Sequence, residues 1–193
     1  KKRQLVVIGG GPGGYAAAFL AAVLGMQVTL IDTRINPGGV CLYVGCIPSK
    51  ALLHLAKVIN EAKEAENWGV TFSKPKIDID KIRAWKESVV TTMTGGLGQL
   101  SKRRNIDYIH GKAFFENADT LTVTLDNGKT ETVTFKHAII ATGSKPVKIP
   151  SLSLDSPRVL DSTTALDLEN IPKSMLIVGG GYIGLEIGTV YAA

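Results

Sequence analysis

QLVVIGGGPGGYAAAFLAAVLGMQVTLID, residues 4–32, decides the fold. QLVVIG is a short apolar run rich in β-branched residues that ends in glycines; an alanine-rich helical run follows, and QVTLID closes the stretch as a second strand. Between strand and helix stands GxGxxG as Gly9, Gly11 and Gly14, and Asp32 ends the second strand. In a chain with 21 glycines such a motif alone says little. Here the strand before it, the helix after it and an acidic residue about 20 positions on supply the context it needs. Each part has a reason. Gly9 permits the turn, Gly11 lets backbone approach a pyrophosphate, and Gly14 lets helix and strand pack closely. The helix start offers N–H groups and a positive dipole end to phosphate. Asp32 is then expected to accept from a ribose hydroxyl.

The pattern returns in SMLIVGGGYIGLEIGTVYAA, residues 174–193, with Gly179, Gly181 and Gly184. Two dinucleotide units in one chain imply electron transfer from one dinucleotide to the other; the plainer alternative is a duplicated binding fold without chemistry. Composition sets outer bounds. With 193 residues, 45% of them hydrophobic, and a mean hydropathy of +0.15, the chain can bury one substantial core and part of a second. No stretch reads as a secretory signal, and the longest apolar run, AAAFLAAVLGM, is shorter than the roughly 20 residues a membrane span needs. The expectation is a soluble, non-secreted, cytoplasmic protein, or one of the mitochondrial matrix if the source is eukaryotic. The net charge of +5 could fit a nucleic-acid partner, but the one dense cluster, Lys102 to Arg104, reads as the solvated face of a helix, so none is expected.

Between the two motifs, residues 52–64 read as an amphipathic helix with Leu52, Leu55, Ala56 and Ile59 on one face. A second helix is expected from about Asp80 to Lys102, interrupted near Gly95, Gly96 and Gly98. LTVTL and TETVTF alternate with period two around DNGK, where Asn127 and Gly128 suit a type I′ turn. DYIH and HAIIA read as further strands flanking that hairpin. Prolines at 146, 150, 157 and 172 mark a connection. The expected organisation is a first domain over 1–150, a linker over 151–172 and the start of a second domain over 173–193. The fold class is α/β: a doubly wound Rossmann-like domain with an antiparallel β-hairpin insertion, then the start of a second Rossmann-like domain.

Both cysteines lie in GGVCLYVGCIPSK, residues 38–50. In a non-secreted chain a close pair points to catalysis or metal rather than to a staple. Residues five apart in a helix have Cα atoms roughly 8 to 9 Å apart, whereas a disulfide needs less than about 7 Å. A Cys41–Cys46 bridge therefore predicts that the intervening LYVG is not helical. Pro48 suits a first helical turn, so a helix should begin near Cys46, where its N-terminus favours a thiolate. A metal site lacks ligands, because there is no second such pair and His54, the nearest histidine, lies eight residues on. No metal is expected.

GGVCLYVGCIPSK, with IGGGPGGYAAA, AIIATGS and IVGGGYIGLEIG in that order, resembles the flavin-dependent pyridine nucleotide-disulfide oxidoreductases. CIPSKALLH is nearest to their dihydrolipoamide dehydrogenase branch. Glutathione and mercuric reductases share the architecture but usually have valine where Ile47 stands. The resemblance runs along the whole chain and covers the N-terminal part of such an enzyme.

It implies that Cys41 is the interchange thiol meeting a dithiol substrate, Cys46 the flavin-facing thiol, Lys50 a cation at the flavin edge, and Glu186 its partner near the nicotinamide. Gly9, Gly11, Pro12, Gly14, Asp32, Thr33, Arg34, Gly39, Val40, Cys41, Lys50, Gly111, Thr142, Gly143 and Ser144 would contact FAD. Gly179, Gly181, Tyr182, Ile183, Gly184 and Glu186 would serve NAD. The implied partners are lipoyl domains of 2-oxoacid dehydrogenase or glycine cleavage complexes and a second copy of the chain. Alternatives are an NADPH-dependent reductase of another disulfide or of a metal ion, or a binding module without turnover; the chain alone is expected to be inactive. Two positions depart from the family: Val40 replaces a common threonine, and Tyr43 a common asparagine, bringing a ring into the loop. His54, His110 and His137 match no family motif and read as structural or surface residues.

Overall fold

The computed structural model describes residues 2–152 and 154–193, with nothing assigned to the side chain of Lys2. The elements run β1 (Lys2–Ile8), α1 (Pro12–Val23), β2 (Val28–Asp32), α2 (Gly39–Val44), α3 (Cys46–Glu64), α4 (Ile79–Arg103), β3 (Asp107–Phe115), β4 (Thr120–Leu125), β5 (Thr130–Ile140) and α5 (Tyr182–Ala192), with three short 3-10 turns. They fall into two compact units, residues 1–43 with 91–144, and residues 44–90 with 145–193.

The first unit is built on a parallel sheet in the order β3-β2-β1-β5. β3 and β5 then run on past the parallel region and pair antiparallel with the two sides of β4, which closes the five strands into a ring. The α/β architecture and the hairpin insertion are as expected. Period-two alternation along β1 divides its apolar residues between two cores. Leu5 and Val7 join Ala18 and Ala21 of α1 and Val28 and Leu30 of β2. Val6 and Ile8 face the other way, onto Leu121, Val123, Val133 and Phe135 of the hairpin. The wholly apolar run LVVI thus has work for every side chain.

In the second unit Leu52 of α3 packs with Leu166 and Leu168, joined by Ile79, Ile82, Val190 and Tyr191. Lys86, with 4% of its side chain exposed, donates to the Leu166 carbonyl at 2.8 Å, which fastens the 3-10 turn Thr164–Asp167. An 18-residue window within 39–68 is apolar enough for a membrane span by composition. Gly45, at φ −144° and ψ −113°, interrupts that stretch, and Ala51, Leu52 and Ala56 within it are buried.

Five local expectations are corrected. Residues 42–44 are helical, since α2 begins at Gly39 and carries Cys41; the break before α3 is confined to Gly45. α4 runs uninterrupted through Gly95, Gly96 and Gly98, because each glycine costs only about 1 kcal/mol against 25 residues of cooperative helix. TETVTF and HAIIA belong to one strand, β5. The hairpin turn is not type I′: the Gly128 N–H donates to the Leu125 carbonyl at 2.9 Å and Lys129 C=O accepts from Leu125 N–H at 2.8 Å. Gly128 is left-handed at φ 77° and Asn127 is not, so the loop is the three-residue form with a bulged glycine. Finally, SMLIV forms no strand. A strand exists through its ladder, and among the described residues none pairs with 174–178.

Candidate functional site

The first glycine motif is a backbone cradle in which each contact excludes a side chain. Gly9 is left-handed at φ 102°, and a Cβ there would stand 2.1 Å from the Ala141 carbonyl oxygen. A Cβ on Gly14 would stand 1.7 Å from the Gly9 carbonyl oxygen, so helix and turn touch without room for a methyl. Gly39, at φ 58°, approaches Gly11 so closely that its Cβ would be 2.5 Å from the Gly11 Cα, and the Gly38 N–H donates to the Gly10 carbonyl at 2.7 Å. Gly11 itself keeps open space, with nothing nearer than 3.7 Å to a Cβ. It caps α1 without a side-chain cap and with no acidic residue in the first turn. Bare N–H groups at a positive helix end, walled only by backbone, fit a pyrophosphate.

Asp32 has more to do here than meet a ribose. Its Oδ2 accepts from the Gly10 N–H and its Oδ1 from the Arg34 N–H at 2.8 Å. An ionised carboxylate has about four acceptor sites, so two remain for hydroxyls. The loop after Asp32 is held at further points that only the folded chain brings together. The Tyr108 hydroxyl donates to the Arg34 carbonyl at 2.7 Å, His110 Nε2 lies 2.9 Å from the Thr33 carbonyl, and the Tyr43 hydroxyl donates to the Asn36 carbonyl at 3.0 Å. Burial, with the nearby Asp32 and Tyr43, pushes the Tyr108 phenol far upward, which keeps it a neutral donor. Tyr108 and His110 carry no motif, which is why residue patterns alone missed them. Gly111 passes against β4, where a Cβ would meet the Thr124 carbonyl oxygen at 2.6 Å. Thr142 to Ser144 form the exposed turn after β5, with Gly143 left-handed at φ 76°. Pro12, Thr33, Arg34 and Val40 are exposed beside this cradle. A cavity of about 510 Å³ in the same unit is lined by Arg3, Asp107, His110 and Glu131 among others, and no predicted site residue borders it.

The second unit holds the expected charge constellation. Cys46 is the first residue of α3, exposed, above a glycine cap with no side-chain bond. Pro48 has no N–H to satisfy, the Ser49 N–H donates to the Gly45 carbonyl at 3.0 Å, and its hydroxyl donates to the Cys46 carbonyl at 3.1 Å. Lys50 follows one turn on, and its Nζ pairs with Glu186 Oε1 at 2.5 Å. That hydrogen bond raises the Lys50 pKa above 10.5, with attraction to Glu186, Cys46 and Tyr182 adding to it and desolvation opposing. Glu186 comes from α5, whose turn repeats the first motif: Gly179 at φ 112°, an uncapped Gly181, and a Gly184 whose Cβ would stand 2.6 Å from the Gly179 carbonyl oxygen. Nothing lies within 4 Å of a Cβ on Gly180 or Gly181, so this turn also fits a phosphate. Tyr182 and Ile183 open α5 and are exposed. Cys41 lies in α2 and is half-buried, so Cys46 is the more exposed of the two residues. His54 and His137 are exposed, and His110, half-buried, sits 3.0 Å from Asp126 through Nδ1.

Known proteins resemble this chain in sequence and fold. The chain is 52% identical over 192 residues to a dihydrolipoyl dehydrogenase of Haemophilus influenzae, covering 100% of this chain and 40% of that protein. It is 54% identical over 190 residues to that of Buchnera aphidicola, covering 98% and 40%, and 47% identical over 187 residues to that of Bacillus subtilis, covering 97% and 39%. Among solved structures it resembles the HOCl-induced flavoprotein disulfide reductase RclA of Escherichia coli, solved as a Cu(II) complex. The TM-score is 0.80 at 31% identity, over 100% of this chain and 40% of that one. The chain thus spans about two fifths of the length of the relatives it matches. Residues 3–193 match the family described as pyridine nucleotide-disulphide oxidoreductase, and the chain belongs to that family.

Proposed function

We propose that the protein is a flavin-dependent disulfide oxidoreductase, cytoplasmic in a bacterium, that oxidises a protein-bound dihydrolipoyl group with NAD. The observation that carries this is the line Cys46, Lys50, Glu186: a sulfur on an uncapped helix start, a cation one turn on, and an anion from the second glycine-motif helix holding that cation charged. In this proposal residues 1–150 form the FAD domain, 151–172 the linker and 173–193 the start of the NAD domain. The partners are lipoyl domains and a second copy of the chain. FAD, when bound, supplies a two-electron acceptor between dithiol and pyridine nucleotide. Gly9, Gly11, Gly14, Gly39 and Asp32 would hold it, with Thr142 to Ser144 beside them.

The chain's own chemistry is thiol–disulfide exchange. A substrate thiolate attacks the Cys41 sulfur of a Cys41–Cys46 disulfide, that S–S bond breaks, and Cys46 leaves as a thiolate. The second substrate thiol attacks the substrate sulfur of the mixed disulfide, closing the substrate disulfide and breaking its bond to Cys41, which leaves with the proton that thiol gives up. The substrate loses two electrons and the cysteine pair gains them. Lys50 stabilises the departing Cys46 anion, and Glu186 keeps Lys50 in place. The test compares initial rates of the full-length protein with dihydrolipoamide and NAD against those with glutathione disulfide and NADPH. The first pair should be faster by orders of magnitude; the reverse preference overturns the substrate assignment. A Cys41→Ser variant that kept dithiol turnover would remove Cys41 from the interchange role.

A further inference from the structure

The loop between β2 and α2 carries an arginine whose side chain is placed by one aromatic ring. The Arg34 guanidinium stands over the Tyr43 ring, 4.8 Å from its centroid. Arg34 is exposed, and among the described residues no carboxylate lies within ion-pair distance of it. The backbone beneath it is immobilised independently: the Asp32 carboxylate takes both the Arg34 and Gly10 N–H groups, and Tyr108 donates to the Arg34 carbonyl. Asp32 thereby sets Arg34 beside the glycine turn. Tyr43 alone does two things, supporting the guanidinium with its face and tying Asn36 with its hydroxyl. Gly38 leaves room for the ring, since a Cβ there would stand 3.1 Å from its edge.

Resting on the flavin assignment, we infer that Tyr43 is a positioning residue for the ADP half of the dinucleotide: it stacks Arg34 into the orientation in which the guanidinium meets a phosphate or ribose oxygen. An unsupported arginine has several rotatable bonds to freeze on binding, and a ring beneath it removes part of that loss beforehand.

The experiment uses the full-length protein stripped of flavin, with FAD affinity read from quenching of flavin fluorescence and ADP affinity from competition. Tyr43→Asn and Arg34→Gln should each weaken both FAD and ADP by about 2- to 5-fold, the range of an exposed cation–π contact. The double variant should be no weaker than Arg34→Gln alone. Tyr43→Phe, which keeps the ring, should hold the parent affinity. Unchanged ADP binding in Tyr43→Asn overturns the inference, as does additivity in the double variant or a drop in melting temperature with both affinities intact. Failure of the parent protein to bind FAD overturns the flavin assignment itself.

Discussion

The Lys50 side chain is 55% exposed and that of Glu186 23%, so solvent screens their ion pair and it contributes little to stability, within about 0–1 kcal/mol. Its value lies in charge at one place. Because Lys50 titrates above 10.5 in the folded chain, the pair's contribution is complete below that pH and is lost only as pH rises through the raised value. Across the neutral range Lys50 is a permanent cation. Lys50→Met should therefore lower kcat on the order of 10²-fold while leaving thermal unfolding nearly unchanged, measured by steady-state kinetics beside calorimetry. Glu186→Gln should bring the Lys50 titration down toward 10.5, readable by NMR of the labelled side chain. Gly39 makes the opposite kind of demand. With φ at 58° and a Cβ only 2.5 Å from the Gly11 Cα, Gly39→Ala has no rotamer that helps. It should abolish flavin retention on gel filtration, and a yellow, stable variant would show the cradle to be softer than drawn.

Along α4 three glycines look alike in sequence and differ in surroundings. A Cβ on Gly95 or Gly96 meets nothing within 4 Å, whereas one on Gly98 would stand 2.2 Å from Asn36 Oδ1. Gly95→Ala and Gly96→Ala should each stabilise by about 0.5–1 kcal/mol through helix propensity. Gly98→Ala should not, because the methyl displaces the amide of a residue whose carbonyl Tyr43 holds. Urea midpoints decide the matter; an equal gain at all three positions would mean that Asn36 moves aside freely. The same stretch shows what the sequence conceals. Glycines signal helix breaks by local preference, and 25 residues of ladder and packing outweigh that preference. At Gly45 the break is real, since Pro48 and a new helix start follow it. The expectation that LYVG is not helical fails for a related reason: Leu42, Tyr43 and Val44 are helical, and the chain turns sharply at Gly45 alone.

In the whole molecule, motifs with backbone logic were legible: the two glycine turns and the helix after the cysteines carry local signatures, whereas the Lys50–Glu186 pairing, between residues 136 apart, was implied only by the family resemblance. Contacts assembled from distant segments were not, as with Tyr108 and Arg34 or the buried Lys86 and Leu166. SMLIV has the composition of a strand yet forms none, since pairing belongs to neighbours rather than to the segment. Two of the three clusters make separate predictions. Leu121→Ala, at a site with no solvent exposure, should cost about 2–5 kcal/mol and release hydrogen-exchange protection in β4 and β5. Leu52→Ala should do the same for α3. Protection lost in the reverse pattern would contradict the assignment of these residues to different clusters.

β5 has one further consequence. Its first half is laced to β4 and its second half to β1, without a break, and it delivers the chain into Thr142, Gly143 and Ser144. It behaves like a keyed shaft. Deleting one residue between 135 and 139 would turn the strand over by one pleat on one side of the cut, either pointing Val133 and Phe135 at water or rotating the turn beside the glycine cradle. Length variation should therefore be accepted in the Asp126–Gly128 loop and refused in β5: a one-residue insertion after Asn127 leaves flavin affinity unchanged, and a one-residue deletion at Lys136 destroys it. Although it lies at the far end of the strand from that turn, the hairpin holds it in phase.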